Sequence, residues 1–240
     1  MEREPQPPAG EGDDVARVSS LGDPARRSLY DFIAGQGQSV GRDEAAKAVG
    51  ISRSLAAYHL DRMVDDGLLE VSFARRSGRT GPGAGRPAKL YHRAVRELQI
   101  SLPPRNYELA AQLLAQAVES ERTGRARASL EGAARALGQE LSAEIRERRT
   151  QAKRAKPHAV VEGVLAGRGY EPFRDDEGAV RLRNCPFDRL ADTHRDLICG
   201  MNLWLLEEAV ADDTGLRAVL DPKPGICCVA MLPEPRERKR

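Results

Sequence analysis

The chain has 240 residues, of which 40% are hydrophobic and only 4% aromatic, with four cysteines and a formal net charge of +2. That composition excludes wholesale disorder, asks for an aliphatic core, and suits two modest domains better than one. No apolar run approaches the ~18 residues of a membrane helix, and Met1 to Asp14 is acidic and Pro/Gly-rich, without the apolar centre of a signal peptide. A cytoplasmic protein with no membrane partner is expected. In that compartment four cysteines point to metal or redox chemistry rather than a disulfide framework. A net charge so close to zero does not announce nucleic acid; only the distribution of charge can do that.

Residues 1–20 have little to bury and are expected as a disordered tail. Asp23-Pro24 starts a helix, with a capping side chain followed by a proline whose missing N–H costs nothing there. Ala25, Leu29, Phe32 and Ile33 form its buried face. A second helix is predicted over about Arg42 to Val49, and Gly50 turns the corner. Ser52 caps a third helix from Arg53 to about Asp66, with Ala56, Leu60, Met63 and Val64 inward. Two short helices, a glycine turn and a third helix make a helix-turn-helix pattern. Two strands follow, Leu68 to Phe73 and Ala88 to His92. Between Val71 and Arg96 there are seven Lys or Arg residues and no acid. A glycine-rich hairpin carrying only positive charge suits phosphate neutralisation beside a groove.

The segments LGDPARRSLYDFI, GISRSLAAYHLDRMVDDGLLE and GRPAKLYH, in that order, resemble the ArsR-type winged-helix regulators. The resemblance covers about Leu21 to Ala94. It implies a third helix in the major groove of a double-stranded DNA operator and a wing on the backbone or minor groove. On that basis Ser52, Arg53, Ser54, Ala57, Tyr58 and Arg62 are the candidate readers, with Arg53 and Ser54 at the end where base contacts usually occur. Arg75, Arg76, Arg79, Arg86 and Lys89 are the wing candidates. The competing reading makes these arginines and the lysine solvated surface charges. His59 adjoins the apolar stripe and reads as a packed structural histidine. The Gly81–Gly85 stretch opens no helix and contains a proline, so a nucleotide loop is discounted.

Residues 97–156 read as helix with a break near Thr123-Gly124. Leu109, Leu113, Leu114, Ala117 and Val118 line the first part; Leu130, Ala134, Leu137, Leu141 and Ile145 form a long seam on the second. A seam of that length suits a partner subunit, with packing against the preceding helix as the alternative. Helix-turn-helix regulators usually bind two half-sites as dimers, so a homodimer is expected.

Residues 157–233 mix a short helix, paired strands around Asp175 to Gly178, a helical stretch with a break near Thr193 to Arg195, and two final strands. Residues 234–240 are a charged tail. The fold class expected is mainly α with small β elements: an N-terminal winged helix-turn-helix (21–96), a helical dimerisation segment (97–156) and a small α+β sensor domain. Cys185, Cys199, Cys227 and Cys228 all lie in this last domain, on three separate elements. Thiolates select soft metals, zinc or iron–sulfur clusters, and the wide spacing departs from the close CxxC pairs of a zinc ribbon. The plain alternatives are a metal-free thiol switch and simple packing, for which free cysteine is well suited.

The segments NCPFDRLADTHRDLICGMNLWLLEEAV and GICCVAM resemble the iron–sulfur-sensing repressors of cluster-assembly (suf) operons. That resemblance covers about Val161 to Met231 and implies an iron–sulfur cluster that governs DNA affinity, with Cys185, Cys199 and one of Cys227 or Cys228 as ligands. No cysteine lies between Cys199 and Cys227, which departs from four well-separated ligands. Cys227 and Cys228 fall in the last predicted strand, Ile226 to Leu232, where consecutive side chains face opposite ways. Both can ligate one cluster only if that strand bulges, so the fourth ligand stays open among Cys228, His194, an acid such as Asp213, and a small thiol. The expected function is a repressor-type transcription regulator, not an enzyme. Zinc or thiol sensing is the alternative; a cysteine nucleophile, with His194 the nearest base, is a remote one.

Overall fold

The computed structural model describes residues 11–74, 87–95, 97–98, 100, 106–152, 156–211 and 214–234, as two compact units spanning 1–105 and 106–240. It is mainly helical, with two small antiparallel sheets.

In the first unit α1 (Glu11–Ser19) runs into a short 3-10 helix (Ser20–Gly22). Residues 11–20 are thus helical where the sequence predicts a disordered tail over 1–20, and residues 1–10 lie outside the described residues. The helix is held by polar contacts rather than apolar burial: Arg17 Nη1 donates to the Asp66 carbonyl at 2.9 Å, and Asp14 is buried. α2 (Pro24–Ala34) starts as the sequence predicts, with the Asp23 carboxylate accepting from the Ala25 and Arg26 amides at 2.9 and 3.0 Å. β1 (Val40–Gly41) leads directly into α3 (Arg42–Val49). Gly50 then takes φ +73°, a left-handed corner that a side chain would strain, and its amide closes α3 on the Ala46 carbonyl. α4 (Arg53–Asp65) begins where Ser52 Oγ accepts from the Leu55 amide at 3.2 Å.

β2 (Leu69–Ala74) and β3 (Ala88–Arg93) pair antiparallel over six positions, from Leu69 opposite Arg93 to Ala74 opposite Ala88. β1 adds to the outer edge of β3, so the sheet order is β1-β3-β2. Two residues are too few for a periodic signal, which is why this strand escapes a sequence reading. Leu29, Ile33, Val40, Leu60, Met63, Leu69 and Tyr91 form the core and are almost fully enclosed. Full burial of such side chains contributes about 2 kcal/mol each, and here it fixes which face of α4 turns outward.

In the second unit α5 (Tyr107–Ser120) breaks at Thr123-Gly124 before the 27-residue α6 (Arg125–Gln151). α7 (Pro157–Ala166), β4 (Pro172–Arg174), β5 (Val180–Leu182), α8 (Asp188–Thr193), α9 (Arg195–Val210), β6 (Leu216–Leu220) and β7 (Val229–Pro233) follow. The second sheet has the order β4-β5-β7-β6, all antiparallel.

The expected division between residues 156 and 157 runs through one continuous core. Ala134, Leu141 and Ile145 of α6 pack with Val161, Val164, Leu182, Leu206, Val229 and Met231. The long seam of α6 is therefore largely spent inside the subunit. Gly138 lies on that seam, and a Cβ placed there would stand 2.6 Å from Glu208 Cβ, so α6 and α9 approach more closely than any other residue permits. Leu137 of the seam stays exposed, and α5 exposes Leu109, Leu113 and Leu114. No helix among the described residues is long and apolar enough to cross a membrane.

Candidate functional site

The first candidate surface is the outer face of α4. Burial of Ala56, Leu60 and Met63 leaves Ser52, Arg53, Ser54 and Tyr58 exposed, with Ala57 half-buried on the flank. Tyr58 is 67% exposed, an unusual position for a large aromatic ring. Its ring meets His59 edge-on at 5.3 Å; His59 itself is buried, as the sequence suggests. Ser52 and Ser54 hydroxyls lie 3.2 Å apart at the first turn.

Each candidate cation described on this face already has an acidic neighbour. Arg53 Nε lies 2.6 Å from Asp43 Oδ1 on α3, and Arg62 Nε 3.4 Å from Asp66 Oδ1. Lys89 on β3 donates to Asp61, whose carboxylate also accepts the Tyr91 hydroxyl at 2.8 Å. Burial works against the charge on Asp61, but Lys89 and Tyr91 outweigh it and hold the carboxyl below its ordinary value. Arg75, Arg76, Arg79 and Arg86 lie outside the described residues. Asp43 and Asp61 are thus part of this surface, and nothing in their sequence positions marks them.

The second candidate site is the cysteine centre. Cys185 follows β5, Cys199 lies in the second turn of α9, and Cys227 and Cys228 lie in the bend before β7. The last placement corrects the expectation that both belong to the strand. The Lys223–Cys228 segment turns at Pro224-Gly225, so the alternation of a pleated strand does not apply to it. Cys227 N–H donates to the Leu182 carbonyl, and the Cys228 carbonyl accepts from the Asp221 amide. These two bonds hold the bend against β5 and β6.

Cys185 and Cys227 perturb each other's titration, and Cys228 perturbs that of Cys199. Cys227 also acts electrostatically on Cys199. The influence of Cys185 brings the Cys227 thiol down to about 7, against burial and with help from the Val229 amide and Asn202. The influence of Cys227, then burial, pushes Cys185 strongly up. Burial first, then Cys228, pushes Cys199 up to about 12.

Two further groups reach the sulfurs. Asn202 Nδ2 donates to Cys227 Sγ at 3.4 Å, while its Oδ1 accepts the Tyr170 hydroxyl at 2.6 Å. Arg195 Nη1 lies 3.7 Å from Cys228 Sγ. Asn202 is only 1% exposed. An asparagine three residues after Cys199, inside the stripe Leu197, Met201, Leu205, was the sequence signal for it.

His194, an alternative fourth ligand, caps the break between α8 and α9 and is buried there. Its Nδ1 lies 2.7 Å from Glu119 Oε2 on α5, so it serves as a helix-end tether. Asp213 lies outside the described residues.

Among the described residues no three His, Cys, Asp or Glu side chains converge on one ion position. Four thiols on elements of one core are soft donors, the type that both zinc and iron–sulfur clusters take. No protein-family model matches this chain, and neither does any curated protein sequence.

Proposed function

We propose that the chain is a DNA-binding transcription regulator, a winged helix-turn-helix of the ArsR type whose DNA affinity is set by an iron–sulfur cluster on its C-terminal cysteines. The observation that carries the DNA reading is the outward face of α4. Ser52, Arg53, Ser54 and Tyr58 are held out from a closed aliphatic core by a left-handed glycine corner and a serine cap, with a hairpin following. That arrangement offers a rigid helix end to a major groove, where arginine pairs with guanine. The acidic neighbours of Arg53, Arg62 and Lys89 are exchanged for phosphate or base on binding.

Four thiols carried by the segment after β5, by α9 and by the 223–228 bend support the cluster reading, with Cys228 as the fourth donor. The bound group would supply a redox- and iron-responsive charge at the junction of α8, α9 and the 223–228 bend; Asn202 and Arg195 would donate hydrogen bonds to its sulfur ligands. In this reading the dimer contact falls on the exposed leucines of α5, since the α6 seam is largely covered within the subunit and leaves Leu137 exposed.

An anaerobic preparation tests the sensor: iron, sulfide and zinc are quantified on the same sample as the absorption spectrum. Iron and sulfide in comparable amounts, lost in Cys185→Ser and Cys199→Ser, support it; a colourless protein that binds selected DNA normally overturns it. The operator is sought by selection from a random duplex pool, with binding measured against salt. A reading of this kind requires a sequence preference and a steep fall of affinity with salt.

A further inference from the structure

We infer that α5 is a strap seated by the cysteine centre: its polar face is tied at both ends to α8, the short helix between Cys185 and Cys199, so that what those thiols hold sets how firmly α5 is held. In chain order α5 is the first element of the second unit. Its attachment is unusual for a 14-residue helix. Leu109, Leu113 and Leu114 face outward and are half or more exposed, and Ala115 is its one buried residue. A surface helix is ordinarily held by its apolar stripe; α5 turns that stripe away from its own core.

The opposite side of α5 is polar. Glu108, Gln112, Ala115 and Glu119 are spaced by four, three and four residues, so they share one side of the helix. Glu108 Oε1 lies 3.2 Å from Arg189 Nε on α8 and accepts from the Gln112 side-chain amide at 3.3 Å. About three turns further on, Glu119 Oε2 stands 2.7 Å from Nδ1 of the buried His194, which ends α8 and starts α9.

Both anchor points are built into the cysteine centre. The α8 helix opens on Cys185 itself, whose carbonyl accepts from the Asp188 amide at 3.1 Å. The His194 carbonyl accepts from the Ile198 amide at 2.9 Å, in the stretch of α9 that carries Cys199. Arg189 is four residues past one thiol, and His194 five before another. α8 has six residues and one buried side chain, Ala191. Such a segment is fixed mainly by what holds its two ends. A group bound across Cys185 and Cys199 fixes both, and the two glutamates pass that order to α5. By linkage, releasing α5 loosens the thiols in return.

The regulatory consequence rests on the cluster reading: an occupied centre presents the leucine row of α5 in one seating, and an empty one lets it move. The ties themselves do not depend on that reading.

The test uses the full-length chain, reduced and metal-free, with hydrogen exchange followed by mass spectrometry. Glu119→Ala should speed exchange over 107–120 about threefold, and Glu108→Ala with Glu119→Ala about tenfold, since half-exposed ion pairs are weak singly but here hold the helix almost alone. Alanine favours helix more than glutamate does, so faster exchange reports the lost ties and not a poorer helix. Alkylation of Cys185 and Cys199 by iodoacetamide should quicken severalfold in the double variant, a response that a purely local pair on α5 would not give. Unchanged exchange over 107–120 in the double variant, unchanged thiol reactivity, or a rise spread equally over α6 and β7 overturns the proposal. Anaerobic reconstitution with iron and sulfide should then slow exchange over 107–120 in wild type, and not in the double variant at equal iron content; equal slowing in both also overturns it. A protein that takes up no iron or sulfide sinks the cluster reading instead, and the metal-free result alone decides the strap.

Discussion

In the unit spanning residues 1–105, the side chains proposed to act stand outside the core, on α4 and β3, beside the exposed carboxylates of Asp43 and Asp61 and the half-buried one of Asp66. In the unit spanning 106–240 they are drawn inward, against β5, α9 and the bend before β7, among apolar neighbours. The first arrangement suits a large polyanion that supplies its own charge and displaces weak surface pairs. The second suits a small, soft group for which burial and fixed hydrogen bonds matter more than reach. The contrast is also energetic. Surface function tolerates substitution with little cost in stability, whereas a centre tied into the core shares its fate.

The largest effects should come from breaking each core separately. Leu60 is fully enclosed beneath the outer face of α4, and Leu60→Ala should cost about 3 kcal/mol through lost burial and a residual cavity. Urea denaturation followed by circular dichroism checks it; a change below half that figure would mean α4 is not anchored as described. Gly138→Val forces α6 from α9 and should cost about 2 kcal/mol by overpacking. Trp204, the single tryptophan and part of α9, reports this by its fluorescence midpoint.

Acid should act on the second unit through Asp175. The Arg181 guanidinium, first among its partners, holds the Asp175 carboxyl below its ordinary value of 3.8. A carboxyl with a lowered folded value stabilises fully above the unfolded value, and that contribution is lost as pH falls through the folded one. The Trp204 midpoint should therefore decline below about pH 4, and Asp175→Asn should flatten that decline. An unchanged acid limb in the variant would remove Asp175 from the account.

The sequence made the first unit legible because its signals are local: Asp23-Pro24, Gly50, Ser52 and the apolar spacing of α4 each act within a few residues. What it hid there is β1, two residues long and defined only by its partner β3, and the carboxylates opposite the cations. In the second unit, helices and strands were largely readable, but their assembly was not. The α6 seam reads equally well as an intersubunit or an internal surface, and only Gly138 against α9 decides it. Cys227 and Cys228 look like strand residues from their apolar surroundings, yet Pro224-Gly225 delays the strand until Val229. The backbone ties of Cys227 to Leu182 and of Asp221 to Cys228 go with that delay, and no spacing rule contains them.

Among effects on DNA binding, Arg53→Ala should be the larger: about tenfold weaker binding to the selected operator, with the salt dependence reduced by about one charge. Equal loss on all sequences would assign Arg53 to the backbone; loss confined to one base position would assign it to readout.

Asp43→Ala should have the smallest effect, and its sign is the informative part. Asp43 holds Arg53 at 2.6 Å, but both side chains are about two-thirds exposed, so the pair contributes little to folding. Folded stability should stay within a few tenths of a kcal/mol. If α4 binds DNA as proposed, Asp43 competes with DNA for the Arg53 guanidinium and also repels phosphate. Its removal should strengthen binding by up to about threefold at low salt, and the gain should shrink as salt screens both contributions. In the Arg53→Ala background the gain from losing the competition disappears and only the repulsion remains. The difference between the two backgrounds therefore measures how far Arg53 leaves Asp43 on binding. If Asp43→Ala weakens binding instead, Asp43 orients Arg53 rather than competing for it, and the free and bound surfaces of α4 are the same.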